Sequence, residues 1–251
     1  YNIAKLAADK GNKTLAVLEY KESLKLNSKY YHAMNNLANI LKDLNQTVDA
    51  EYLLMNAVKL KPDFAAAWMN LGIVRSSLKK FSEAETNYLM ALKLRKKYAD
   101  CMFNLGNLYL EQKRFNDAIL MWRNATKLKP KLVAAWINLL LLIDSIGETN
   151  DAITIAEEAL NFIKEDSLLH FNYANLLGKM RRFEDAENHY LKAIRLKEEA
   201  IYFANLGVLY HQWNKLEAAK SAYEHALHLD PSLKITKDNI RILMKNAKIK
   251  K

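Results

Sequence analysis

Seven asparagines are the residues of this chain whose type and spacing point most directly to chemistry. Asn2, Asn36, Asn70, Asn104, Asn138, Asn172 and Asn205 follow one another at intervals of 34 residues, the last interval being 33. An amide side chain both donates and accepts hydrogen bonds, so such a row matches peptide groups in either sense. One helical turn later Asn39, Asn107 and Asn175 alternate with Ile73, Leu141 and Val208. Met69, Phe103, Ile137 and Phe171 adjoin the row; where exposed, such apolar residues form pockets for side chains, and otherwise they belong to the core. This is the chemistry of recognition and not of bond breaking. The chain has no Gly-rich phosphate loop, no His-Glu-x-x-His and no Cys-x-x-Cys, so no catalytic residue and no metal site is assigned. His225 and His228 are three apart on a helix but have no obvious third ligand, and they read as surface histidines. The single cysteine, Cys101, reads as a small buried residue. Three Asn-x-Thr sequons begin at Asn12, Asn45 and Asn124; the first two lie at or near turns, where a glycan can be accepted.

The elements that must position these amides are helices in pairs. In Ala99–Leu132, Leu105, Gly106 and Tyr109 share one face of a first helix, and Ala118, Trp122 and Ala125 share one face of a second. Gly106 and Ala118 lack bulk, so the helices can approach there, with Trp122 filling the space beside them. Pro130 follows the second helix, where it costs no internal hydrogen bond. The pattern then repeats. Its small residue recurs as Ala16, Ala50, Ala84, Ala118, Ala152, Ala186 and Ala219, and Pro62, Pro130 and Pro231 occupy one common place. Trp68-Met-Asn-Leu-Gly and Phe203-Ala-Asn-Leu-Gly-Val-Leu-Tyr, with Ala-x3-aromatic-x2-Ala, resemble the tetratricopeptide repeat. That resemblance implies an all-α, right-handed superhelical solenoid in which the first helix of each hairpin lines a concave groove.

The organisation expected is a partial repeat over 1–30, then six repeats over 31–64, 65–98, 99–132, 133–166, 167–199 and 200–232, and a capping helix with a basic tail over 233–251. Gly11, Asn45, Gly147 and Asn214 take the same inter-helix turn, suited to the left-handed backbone that ends a helix. One residue is missing near Lys197–Glu199, which shortens an inter-repeat turn. In 133–166, Leu140 stands where other copies carry Gly or Ala, and Ala156 where they carry a large residue. Contact between the two conserves the packed volume. In the cap, Leu233, Ile240, Leu243, Met244 and Ala247 form an apolar stripe, with Lys234, Lys237, Arg241 and Lys245 largely on other faces.

The net charge of +10 comes mostly from basic residues near the ends of second helices, where cations complement the helix dipole, and from Lys245–Lys251. No basic face is interleaved with aromatics at a regular spacing, so no nucleic-acid partner is expected. No apolar run approaches the ~18 residues that span a bilayer. The chain begins at Tyr1 inside a repeat, without a signal peptide, and is expected to be a piece of a longer protein.

Helix neighbours lie roughly 8–10 Å apart and an extended chain advances about 3.3 Å per residue, so each asparagine would meet a ligand backbone about every third residue. Each bond nets only about 1 kcal/mol, so affinity comes from many rungs. Further strings carry a closer resemblance: Arg95-Lys-Lys-Tyr-Ala-Asp-Cys-Met-Phe-Asn-Leu-Gly, Trp122-Arg-Asn-Ala-Thr-Lys-Leu-Lys-Pro, Ala174-Asn-Leu-Leu-Gly-Lys and Leu206-Gly-Val-Leu-Tyr-His-Gln-Trp. They resemble the TMTC family of transmembrane, tetratricopeptide-repeat O-mannosyltransferases. That resemblance implies an endoplasmic-reticulum parent with a multi-span catalytic part upstream. The parent would transfer mannose from dolichyl-phosphate mannose to Ser or Thr, mainly on cadherin extracellular domains. The repeats would then be its lumenal acceptor-binding module, with no cofactor and no catalytic residue of their own, joined to the membrane only through the upstream part. Two alternatives stand beside it: a cytosolic or nuclear peptide-binding scaffold, and an O-GlcNAc-transferase-like substrate-binding superhelix. A carboxylate clamp of the co-chaperone type needs Lys with Asn at the groove, and Lys5 is the only Lys at its turn position.

Overall fold

The computed structural model describes residues 1–249, and the side chains of 1–244. Lys245, Ala247 and the rest of the basic tail assigned above therefore lie outside the described side chains. The described elements are helices only, and they alternate between shorter first and longer second members. They are α1 (Asn2–Asp9), α2 (Lys13–Leu26), α3 (Tyr31–Asp43), α4 (Thr47–Leu60), α5 (Ala65–Ser77), α6 (Phe81–Leu94), α7 (Ala99–Glu111) and α8 (Phe115–Leu128). After these come α9 (Val133–Ser145), α10 (Thr149–Phe162), α11 (Ser167–Lys179), α12 (Phe183–Leu196), α13 (Ala200–Gln212), α14 (Leu216–Leu229) and α15 (Lys234–Ile249). They form two compact units, Tyr1–Leu128 and Lys129–Lys251.

Within each unit the packing follows one rule. Each helix packs against its hairpin partner, and each second helix packs against the first helix of the next hairpin. First helices also meet one another: α3 with α5 and α5 with α7 in one unit; α9 with α11, α11 with α13 and α13 with α15 in the other. The asparagine row rides on these first helices.

The hairpin interior is held by bulk against absence of bulk. A Cβ added to Gly72 would lie 2.7 Å from the Tyr88 ring, one on Gly106 2.5 Å from Trp122 Nε1, and one on Gly207 2.5 Å from Tyr223. Leu140 and Ala156 occupy the corresponding pair of places in 133–166, and both are wholly buried. The tight inter-helix turn has positive φ at every copy, including Lys79 (61°), Lys113 (59°) and Arg181 (59°). These three long side chains carry no sequence signal for a left-handed backbone. The turn geometry is imposed by hairpin packing over local preference. Between α12 and α13 only Lys197–Glu199 intervene, whereas Lys61–Phe64 separate α4 from α5.

Two further devices join the parts. Trp68 Nε1 donates to the Pro62 carbonyl and Trp136 Nε1 to the Pro130 carbonyl, each at 2.8 Å, so the indole fastens the preceding turn. His170 takes the same place in its copy and its Nε2 lies 3.0 Å from the Lys164 carbonyl. Consecutive repeats are also clasped by a carboxylate. Glu51 binds Arg75 and Lys80, Glu85 binds Tyr109 and Arg114, and Glu187 binds Tyr210 and Lys215. Burial raises the affinity of Glu51 for its proton, but hydrogen bonds from Lys80 and Arg75 outweigh this and hold it below the ordinary carboxylate range.

The cap differs in one respect from the apolar stripe expected. Leu243 is buried against Ala219 and Tyr223, with Ile240 beside it, but Met244 is 43% exposed. Thr236 is buried instead, because spacings of four and three place residues 236, 240 and 243 on one face.

Candidate functional site

The asparagines do not form a uniform row; they fall into two kinds. In the first, the amide is tied across a repeat boundary. Asn36 Nδ2 donates to the hydroxyls of Tyr1 (3.2 Å) and Tyr20 (3.3 Å), and its Oδ1 accepts from Asn35. Asn70 Nδ2 donates to Asn35 Oδ1 at 2.8 Å, and Asn205 Nδ2 to Asn175 Oδ1 at 3.0 Å. In the second kind the amide turns back to its own helix: Asn104 Nδ2 to the Asp100 carbonyl at 2.9 Å, and Asn172 Nδ2 to the Leu168 carbonyl at 2.7 Å. Those carbonyls lie four residues back, so these bonds hold no neighbouring repeat. Asn172 and Asn70 are buried, while Asn36, Asn104, Asn138 and Asn205 are half-buried and Asn2 is exposed. Asn138 also has an interaction partner.

The second set, one turn on, is partly structural as well. Asn107 Oδ1 accepts from Trp122 Nε1 at 3.2 Å, and Asn175 Oδ1 from the Tyr190 hydroxyl at 2.5 Å. Asn39 is half-buried. Of the apolar neighbours, Leu141 is 47% exposed and Ile137 belongs to the core; Met69, Phe103, Phe171, Ile73 and Val208 lie between these limits. The amides and these side chains together offer peptide-sized polar groups set among apolar ones.

Sequence reasoning missed two members of this network. Asn35 is buried and bridges Asn36 and Asn70, but no other copy has Asn at that place, so periodicity could not flag it. Asn239 lies one 34-residue step beyond Asn205 and its amide reaches the Tyr223 hydroxyl. The interval marks it, but Ile240 and Arg241 follow it where Asn70, Asn104 and Asn205 are followed by Leu-Gly. The tyrosines were legible as core filling, whereas their hydroxyls, which meet the amides, required the packed helices.

The sequons sit in different settings. Asn12 is the N-cap of α2, its side chain accepting from the Leu15 N–H at 3.0 Å. Asn45 is exposed at the left-handed turn residue, and Asn124 is half-buried inside α8 with Thr126 buried. Cys101 is wholly buried, and burial pushes its thiol up to about 12. His225 faces Glu198 at 3.0 Å. Among the described residues no three His, Cys, Asp or Glu side chains gather as a metal site, and no helix is long and apolar enough to cross a membrane.

The helix pairs with this spacing are those of a tetratricopeptide-like repeat, and the tetratricopeptide repeat family model matches residues 99–132, 169–199 and 200–233. In sequence the chain is similar to protein O-mannosyl-transferases. It is 37% identical to one from Caenorhabditis elegans over 103 residues, which is 41% of this chain and 15% of that protein. It is 49% identical to the Homo sapiens protein O-mannosyl-transferase TMTC4 over 50 residues, which is 20% of this chain and 7% of that protein. The matched regions thus span a small part of these relatives. The fold is shared with Pseudomonas aeruginosa PilF, with TM-score 0.70 at 20% identity, covering 86% of this chain and 97% of that one.

Proposed function

We propose that this chain is the protein-binding repeat module of an O-mannosyltransferase, holding extended segments of acceptor proteins along its first helices. The observation that supports this reading most is the set of asparagine amides on the first helices of repeats that are similar in sequence to protein O-mannosyl-transferases. The module supplies positioning and no chemistry. Mannose transfer from dolichyl-phosphate mannose to Ser or Thr belongs to a membrane-embedded part of the parent, in the endoplasmic reticulum, with the repeats in the lumen. Cadherin-type extracellular domains are the proposed acceptors. Binding by an amide row is tolerant of sequence, because it grips the backbone.

Asn104→Ala combined with Asn172→Ala tests this reading. Both amides bond only within their own helices, so their removal orphans no group in another repeat. An array of overlapping peptides covering a cadherin-type extracellular domain is probed with the chain and the double variant. Loss of about thirtyfold in binding at unchanged helicity is expected, corresponding to two bonds of about 1 kcal/mol each. Equal binding by a folded variant would sink the proposal.

A further inference from the structure

Between α13 and the first turn of α15 lies a cavity of about 480 Å³. Its walls are apolar, with Ile201, Val208, Leu233 and Ile235; Ile201 and Ile235 are 46% and 77% exposed. The amides of Asn205 and Asn239 reach it from the two helices. Its remaining edge is the N-terminus of α15.

Three features there are unspent. The backbone N–H groups of Lys234, Ile235 and Thr236 open the helix and have no acceptor among the described residues. Lys234 lines the cavity and makes no ion pair among the described residues. The nearby carboxylates are occupied elsewhere: Asp230 accepts from the Ser232 N–H and hydroxyl, and Asp238 pairs with Arg241. Independently, Thr236 lines the cavity, is only 4% exposed, and its hydroxyl has no hydrogen-bond partner among the described residues. What little of Thr236 is exposed opens on the cavity, and its placement beside unbonded N–H groups and a cation suits an acceptor carrying negative charge.

We propose that this cavity binds an aliphatic residue followed by an acidic one within an extended polypeptide. The aliphatic side chain fills the space between Ile201, Val208 and Ile235. The carboxylate of the Asp or Glu receives the first-turn N–H groups of α15, the Thr236 hydroxyl and the Lys234 ammonium. The Oδ1 atoms of Asn205 and Asn239 remain for peptide N–H groups on either side. The proposal rests on the polypeptide-binding reading above and adds a sequence preference to it, at a site that includes the cap. The preference suits a chain with net charge +10.

The test uses the whole chain and labelled peptides, blocked at both ends, carrying Leu-Asp, Leu-Asn or Ala-Asp in a Gly/Ser/Thr background, with fluorescence anisotropy as readout. A fourth peptide ends in a free carboxylate directly after Leu. Leu-Asp is expected to bind at least tenfold tighter than Leu-Asn and Ala-Asp, and the advantage over Leu-Asn to vanish in Lys234→Gln. Thr236→Val is expected to lose affinity for Leu-Asp severalfold while thermal stability is unchanged or raised; a purely structural threonine would instead lower it. Equal binding of Leu-Asp and Leu-Asn overturns this proposal while leaving the polypeptide-binding reading intact. Preference for the free-terminus peptide alone overturns the side-chain assignment, and failure of every peptide to bind overturns both readings.

Discussion

Hairpins α5/α6 and α11/α12 are built on the same pattern three repeats apart, yet they solve one polar problem differently. In the first, Trp68 spends its single N–H on the Pro62 carbonyl. Asn87, on the second helix, is buried and its Nδ2 has no hydrogen-bond partner among the described residues. In the second, His170 replaces the tryptophan and His189 stands where Asn87 does. Imidazole has two nitrogens, so His170 faces the Lys164 carbonyl with Nε2 and still has Nδ1 for His189 Nδ1, 2.8 Å away. The carbonyl can only accept, so His170 carries its proton on Nε2 and His189 donates from Nδ1. An indole has a donor and no acceptor, so it has nothing to offer a neighbouring donor such as the Asn87 amide, whereas a neutral imidazole has one of each, accepts from its neighbour and becomes sensitive to protons. The hairpins are also tied to their predecessors differently, by the Glu51 clasp to Arg75 and Lys80 in the first and by the Glu157 to Tyr173 bond in the second.

The largest expected effect strikes the first hairpin. Glu51→Ala leaves the mostly buried Arg75 without its main partner and should cost about 2–3 kcal/mol in denaturant unfolding. Next come opposite responses at the equivalent places. Asn87→Leu removes an orphan donor and should stabilise by about 1 kcal/mol. His189→Leu strands His170 Nδ1 and should destabilise by about 1–2 kcal/mol. Equal signs for these two would remove the contrast.

Acid should then separate the hairpins. Burial first, and the neighbouring His170 second, depress His189 from 6.5 to about 4. The unfolded chain takes up that proton first, so the contribution is complete above pH 6.5 and is lost as pH falls towards 4. Glu51 is also depressed, but relative to a carboxylate, so its contribution persists until the pH drops below the ordinary carboxylate range. Hydrogen exchange should show α11 and α12 losing protection before α4 and α5 as the pH is lowered; His189→Leu should abolish the early loss. The smallest effect is at the turns. Arg181→Gly relieves a left-handed backbone and should gain about 0.5–1 kcal/mol. Lys79→Gly should gain less, because Lys79 also pairs with Glu111.

Much of this molecule is legible as a string. The period, the small residues facing Tyr88, Trp122 and Tyr223, and the helical class follow from spacing, because a helix places every third and fourth residue on one side. The asparagine places were legible for the same reason. What each amide does was not. Asn70 and Asn104 are identical in the pattern, yet one binds across a repeat boundary and the other its own helix, because Asn35 stands within reach of only the first. The left-handed turns at Lys79, Lys113 and Arg181, the burial of Thr236 and the imidazole pair were likewise decided by packing. Periodicity is a property of the backbone and is written locally. Hydrogen-bond partners are chosen among side chains distant in sequence, and only the folded chain brings those together.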